Sequence, residues 1–247
     1  MTFAFDFDGE HEADKNLLGG KGAGLATMTR IGLPVPPGFT LSTRACLETL
    51  RTGEMPAAVW TEAMAAVHRL EQRTGRSFGG DGTPLLLSVR SGARFSMPGM
   101  MDTVLNLGVV PGTVERLEAW SGDPHFARDA ARRFVQTFGK VVLGIDEMVF
   151  QRILTELRER RGVVDDASLS PADLDEARGR FLEAITESGA SIPGDPMQQL
   201  QAAVGAVFNS WHNRRAVEYR RLNGIPDDLG TACNVQSMVF GDLATES

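Results

Sequence analysis

Three stretches of this sequence carry residue types that could meet a ligand. The first is Gly19-Gly20-Lys21-Gly22-Ala23-Gly24. Glycines bring backbone N–H groups close to a ligand, and a helix starting behind them adds partial positive charge. Lys21 would meet a phosphate there as a point charge. The spacing is not that of a Walker A loop, and Ala23 stands where a Ser or Thr hydroxyl would be needed for Mg²⁺. A plain glycine turn with a solvated lysine has the same composition, so both readings stay open.

The second stretch runs from Ser88 to Thr103. An apolar run, Leu85 to Val89, ends in Arg90, and a loop rich in Ser, Gly and Arg follows. Strand ends in α/β sheets are where ligands bind. A guanidinium takes phosphate oxygens two at a time. Ser91, Ser96 and Thr103 add hydroxyls, and Met100 and Met101 are soft side chains suited to packing on a flat base. In the competing reading this is a surface loop with scattered arginines. Arg90, closing a buried strand, would then need a carboxylate partner.

The third stretch is a set of arginine pairs: Arg132-Arg133, Arg214-Arg215 and Arg220-Arg221. These read as solvated helix faces with i,i+4 ion pairs. Phe134 and Trp211 beside them read as core. His11, His68, His125 and His212 stand in no metal-ligand pattern, and no Ser-His-Asp or Cys-His arrangement is present. Asp165-Asp166 and Asp227-Asp228 look like turn residues. No metal site is expected in this chain.

The elements that must position these groups are legible in outline. Phe3, Phe5 and Phe7 alternate as a short strand with one apolar face. The glycine stretch runs into a helix through about Ile31, and Phe39-Thr40-Leu41 reads as a strand. Ser42 or Thr43 caps a helix through about Leu50, and Met55 to Arg73 has helical periodicity. Leu85 to Arg90 is a buried strand. From Pro111 to about Leu222 the pattern is helical, with starts at Asp123-Pro124 and Ser170-Pro171. Thr231 to Phe240 returns to strand. The division expected is 1–110 as an N-terminal α/β part, 111–225 as a helical subdomain, and 226–247 as the first strand of a second part. In the plainer alternative reading, the last strand closes a sheet begun by earlier strands.

Composition narrows the function classes. The 247 residues suffice for one large domain or two small ones, with 42% hydrophobic and 23% charged residues. The net charge of -7, with no long Lys/Arg run, argues against nucleic acid and anionic membranes. Cys46 and Cys233 form no disulfide framework, which suits a reducing cytoplasm. No signal peptide or membrane-spanning run is present.

Read together and in order, these residues resemble the pyruvate phosphate dikinase family. The resemblance rests on Gly19 to Leu25, Gly32-Leu33-Pro34-Val35-Pro36-Pro37-Gly38-Phe39-Thr40, Ser88 to Arg94, and Ser96-Met97-Pro98-Gly99-Met100-Met101-Asp102-Thr103. It continues through Arg132-Arg133-Phe134, Ser210-Trp211, Ala216, Tyr219-Arg220-Arg221 and Gly230-Thr231-Ala232 to Asn234-Val235-Gln236-Ser237-Met238-Val239-Phe240-Gly241, and so covers essentially the whole chain. Phosphoenolpyruvate synthases share the glycine–lysine loop and the Val-Arg-Ser strand end but typically lack the Ser96–Thr103 string, and they are the alternative. Cys233 stands where valine is usual, and Arg214 where proline is common.

The resemblance implies an α/β (α+β) fold: a partial ATP-grasp-like nucleotide-binding domain with a large helical insertion. It implies a share in converting ATP, phosphate and pyruvate to AMP, diphosphate and phosphoenolpyruvate, through a phosphohistidine on another domain. Lys21 and Arg90 match the family's triphosphate-binding pair and take the catalytic, charge-stabilising role. Arg94, Gly99, Met101, Gln236 and Met238 are the further nucleotide-binding residues it implies. The family's Mg²⁺ ligands and its glycine–threonine-rich segment would follow Ser247. The chain is therefore expected to be the front part of that domain, inactive alone, with the phosphohistidine and pyruvate domains as its missing partners. An unfinished sheet would expose an edge, so a homo-oligomer is expected. A stand-alone nucleotide-binding or regulatory module is the second alternative.

Overall fold

A computed structural model describes residues 2–97, 99 and 101–240. Met100, expected to pack on a base, lies outside the described residues, as do Pro98 and 241–247. Five strands form one sheet: β1 (Ala4–Asp6), β2 (Gly38–Leu41), β3 (Leu87–Gly92), β4 (Thr103–Leu107) and β5 (Ala232–Ser237). The order is β1-β2-β5-β3-β4, and every neighbouring pair is antiparallel. The mixed helix-and-sheet class expected from sequence is the class observed.

The register gives the sheet two unlike faces. Phe39, Val235, Val89 and Val104 are paired in a row across β2, β5, β3 and β4, and all are fully buried. The adjacent row is Thr40, Asn234, Arg90 and Thr103. A period of two sends these rows to opposite faces. The apolar row packs into the main core, with Ala45, Val59, Phe134 and Phe208 from the surrounding helices. Each such side chain contributes about 1.5–3 kcal/mol on burial. The polar row lies on the face that carries α1 (Lys15–Arg30).

The other helices are α2 (Thr43–Thr52), α3 (Ala57–Thr74), α4 (Thr113–Ser121), α5 (Pro124–Val141), α6 (Glu147–Arg161), α7 (Pro171–Glu187), α8 (Pro196–Asn209) and α9 (Arg214–Asn223). Their starts are chemically marked. Ser42 accepts from the Ala45 N–H, and Asp123 accepts from the His125 and Phe126 N–H groups ahead of Pro124. Ser170 and Asp173 form a reciprocal capping box. Helices α4 to α9 form an insertion between β4 and β5. Of its arginines, Arg132 and Arg220 are not solvated: they are only 2% and 1% exposed. Arg132 is held by Asp129 and Gln136, and Arg220 by Asp227, the Trp211 carbonyl and the Trp211 ring 4.0 Å away.

Two features differ from expectation. Strand β4 carries no clear strand signal in the sequence. Strand β5 lies between β2 and β3, so it completes the sheet from its centre, the second of the two readings open for it. With both its edges paired, β5 does not present the open edge on which self-association was argued.

Candidate functional site

The polar row is the floor of the candidate site. Arg90 forms no ion pair among the described residues. One of its terminal nitrogens donates to the Gln236 side-chain oxygen, and its Nε is buried without a partner. Burial pushes the Arg90 pKa down. The carboxylate that a purely structural arginine would need is absent among the described residues.

Lys21 arrives beside Arg90 because of α1's construction. The helix starts at Lys15, with Asp14 as its cap, and breaks its helical geometry at Gly19, where φ is 69° and ψ 172°. A Cβ on Gly19 would stand 1.4 Å from the Gly92 carbonyl oxygen, and one on Gly22 2.7 Å from Thr40 Oγ1. The Gly20 N–H donates to the Ala93 carbonyl at 3.0 Å. These glycines therefore let helix backbone press onto the strand ends. That corrects the expectation of ligand-facing N–H donors at Gly20, whose donor is spent inside the protein. The consequence is that Lys21 lies over Gly92, two residues along β3 from Arg90: a Cβ on Gly92 would meet the Lys21 Cβ at 3.5 Å.

Although much of Lys21 is open to solvent, its ammonium is partly enclosed. Burial holds its pKa below the ordinary lysine range, Arg90 lowers it further, and Cys233 acts the other way. Arg90, itself partly desolvated, thus sits close enough to disfavour the charge on Lys21. Such an arrangement costs free energy unless an anion offsets it.

A hollow of about 580 Å³ opens beside Lys21. Lys21 and Arg94 supply its positive charge, and Ser91, Ser96 and Thr103 its hydroxyls. Phe95 and Met101 add apolar surface, and Gly99 also lines it. The Arg94 guanidinium lies 5.4 Å from the Phe95 ring. No carboxylate lines this hollow among the described residues. A second hollow of about 510 Å³ shares Gly99, Met101 and Thr103 with it. There the cations are largely neutralised: Arg132 and Arg133 by Asp129, and Lys140 by Glu147.

Of the residues expected from sequence, the structure brings Lys21, Arg94, Gly99 and Met101 to one hollow. Arg90 adjoins Lys21 without lining that hollow. Gln236 and Met238 do not line it either. The Gln236 amide engages Arg90 and the Pro36 carbonyl. The Met238 N–H donates to the Leu86 carbonyl at 2.9 Å, and its side chain packs against a small second cluster that includes Leu86, Leu117 and Ala127. Thr40 and Asn234 are the residues whose part went unseen. Thr40 Oγ1 donates to Asn234 Oδ1 at 2.9 Å, and Asn234 Nδ2 to the Arg90 carbonyl at 3.5 Å. The signal for Asn234 was its alternation with Gln236 around Val235, and for Thr40 its place between Phe39 and Leu41 in a short strand.

Cys46 and Cys233 are buried and free. Burial pushes the Cys46 thiol up to about 12, and raises that of Cys233 also. Neither is a nucleophile near neutral pH.

Comparison with known proteins gives a consistent result. The family described as pyruvate phosphate dikinase, AMP/ATP-binding domain, matches residues 15–60 and 47–245. A pyruvate, phosphate dikinase of Rhizobium meliloti is 50% identical over 236 residues, covering 95% of this chain and 26% of the relative. The Clostridium symbiosum protein of that name is 44% identical over 248 residues, covering 99% and 28%. A chloroplastic one from Zea mays is 48% identical over 235 residues, covering 94% and 25%. The chain thus spans about a quarter of the length of these relatives.

Proposed function

Because this chain belongs to the pyruvate phosphate dikinase AMP/ATP-binding domain family, we propose that the hollow beside Lys21 receives the triphosphate of ATP. One observation carries the reading: Lys21 and Arg90 are adjacent, partly desolvated and without a carboxylate among the described residues. A polyphosphate supplies the missing negative charge. Arg94 adds a second cation in the hollow, and Ser91, Ser96 and Thr103 would donate hydroxyl hydrogens. Phe95 and Met101 offer the apolar surface for the base.

In the longer enzyme the nucleotide bound here would give a phosphoryl group to a histidine on another domain. The balance is ATP, pyruvate and phosphate to AMP, phosphoenolpyruvate and diphosphate. The share of this chain is electrostatic. Lys21 and Arg90 stabilise charge that develops on the transferring phosphoryl group, in a partly water-excluded place where fixed cations act strongly. Mg²⁺ ordinarily bridges phosphates in such transfers. The residues lining this hollow do not fit it, since they include no carboxylate, and no group of three His, Cys, Asp or Glu suited to a metal occurs among the described residues. Two free buried thiols support a reducing compartment such as the cytoplasm, and among the described residues no helix is long and apolar enough to cross a membrane.

Calorimetric titration of the chain with ATP tests the reading. Lys21→Ala and Arg90→Ala should each weaken binding by about 1.5–3 kcal/mol, the worth of a charged hydrogen bond, or roughly ten- to a hundredfold. Affinity unchanged from that of the parent chain in both variants would overturn it.

A further inference from the structure

Gln236 is placed to act on Arg90 rather than on the nucleotide. Its side chain is almost wholly enclosed, 4% exposed. On the register of β5 and β3, Asn234 stands opposite Arg90 and Gln236 opposite Ser88. Gln236 is thus Arg90's diagonal neighbour on the same face, within reach of a long side chain. Both ends of the amide are committed. The oxygen accepts from an Arg90 terminal nitrogen, and Nε2 donates to the Pro36 carbonyl at 2.9 Å. An inverted amide would set NH₂ against guanidinium and oxygen against carbonyl, so this orientation is the one both partners demand.

The chemical type of the acceptor matters as much as its position. A guanidinium has five N–H donors. A neutral amide oxygen takes one of them and leaves the positive charge whole. A carboxylate in the same place would form an ion pair and spend that charge inside the protein. Other arginines of this chain are held by carboxylates, as Arg69 is by Asp6, Arg128 by Glu118 and Asp175, and Arg220 by Asp227. Arg90 is fixed by an uncharged residue instead.

We propose that Gln236 is a positioning residue that holds the Arg90 guanidinium in place while leaving its charge uncompensated for the phosphates. The inference rests on the triphosphate reading above, and the two can fail separately. The decisive variant is Gln236→Glu, which keeps the side-chain length and the acceptor oxygen but neutralises Arg90.

ATP and adenosine titrations, with thermal unfolding, are run on the full chain and on Gln236→Glu, Arg90→Ala and the double variant. Gln236→Glu should lose about tenfold or more in ATP affinity, the size of a charge-assisted contact. Its unfolding temperature should stay level or rise, and its adenosine affinity should hold within about twofold, because only the phosphate contact changes. In the Arg90→Ala background the same change should cost ATP nothing further, since the two side chains act as one unit. A merely structural glutamine would lower stability and affinity together, or would act equally in both backgrounds. Unchanged ATP affinity in Gln236→Glu overturns the inference while leaving the site in place. Unchanged affinity in Arg90→Ala, or a parent chain that binds no ATP, removes the site itself. Should Gln236→Glu not fold, Gln236→Met gives the same cycle by releasing Arg90. A loss of about threefold or more, absent in the Arg90→Ala background, is then expected.

Discussion

Lys21 titrates in a telling direction. Its pKa lies below the ordinary lysine value of 10.5, from burial first and Arg90 second. Between the lowered value and 10.5 the unfolded chain binds more protons at this site than the folded one. Stability at this site therefore rises with pH across that window. The enclosed ammonium carries its cost below the window and sheds it above. A bound triphosphate works the other way, because it favours the charged amine. ATP affinity should accordingly fall as pH rises toward the ordinary lysine value of 10.5, with the decline beginning below it. Lys21→Arg, which does not lose its proton there, should hold its affinity over the same range. Titrations at a series of pH values check this, and a parallel decline in Lys21→Arg would exclude Lys21 as the titrating group. At this scale the cations were legible, since Lys21, Arg90 and Arg94 stand in a glycine- and serine-rich setting. Thr40 and Asn234 were not, because their hydrogen bond joins positions 194 residues apart.

The glycines of α1 set how that helix meets the sheet. Gly19 has a positive φ and no room for a Cβ against Gly92. Gly24, on the same helix, has nothing within 4 Å. Gly19→Ala should therefore destabilise the chain by about 2–4 kcal/mol, through backbone strain and overpacking together. Gly24→Ala should stabilise it by about 0.4–1 kcal/mol, through a better helix propensity and a less free unfolded chain. Urea unfolding of both variants measures the contrast, and equal effects would remove the close-approach account. Helix starts at Asp123 and Ser170 could be read because capping is local, a side chain bonding backbone two or three residues on. Strand β4 could not. Its buried Val104 and Leu107 are three apart, and the pairing with β3 shifts register between Leu87 and Val89. That irregularity erases the two-residue period by which strands are recognised.

Across the whole molecule, the sheet depends on its last strand. β5 contributes the pairing that joins β1-β2 to β3-β4. Its partners lie far away in sequence: Val235 pairs with Phe39 and with Val89. A chain ending after residue 230 would leave two hairpin-like halves without their shared neighbour and would lose Cys233 and Val235 from the core. It should show no cooperative thermal transition by near-ultraviolet circular dichroism. A cooperative transition like that of the full chain would mean that the helices suffice. Pairing at such separations also makes folding slow, since loop closure precedes the contacts that reward it.

Composition, helix caps and the two glycine- and serine-rich motifs determined the class of the fold, most element positions and the cationic candidates for the proposed site. All of these depend on neighbours within a few positions. The place of β5 at the centre of the sheet, the pairing of β4, the burial of Arg132 and Arg220, and the contact of Gln236 with Arg90 were decided only by the tertiary structure. Each depends on atoms brought together from distant segments or on an irregular register, and a linear pattern carries no record of which polar side chain will face a given guanidinium. The charge left unspent on Arg90 follows from that placement, because the Gln236 oxygen is a neutral acceptor where a carboxylate would have cancelled it.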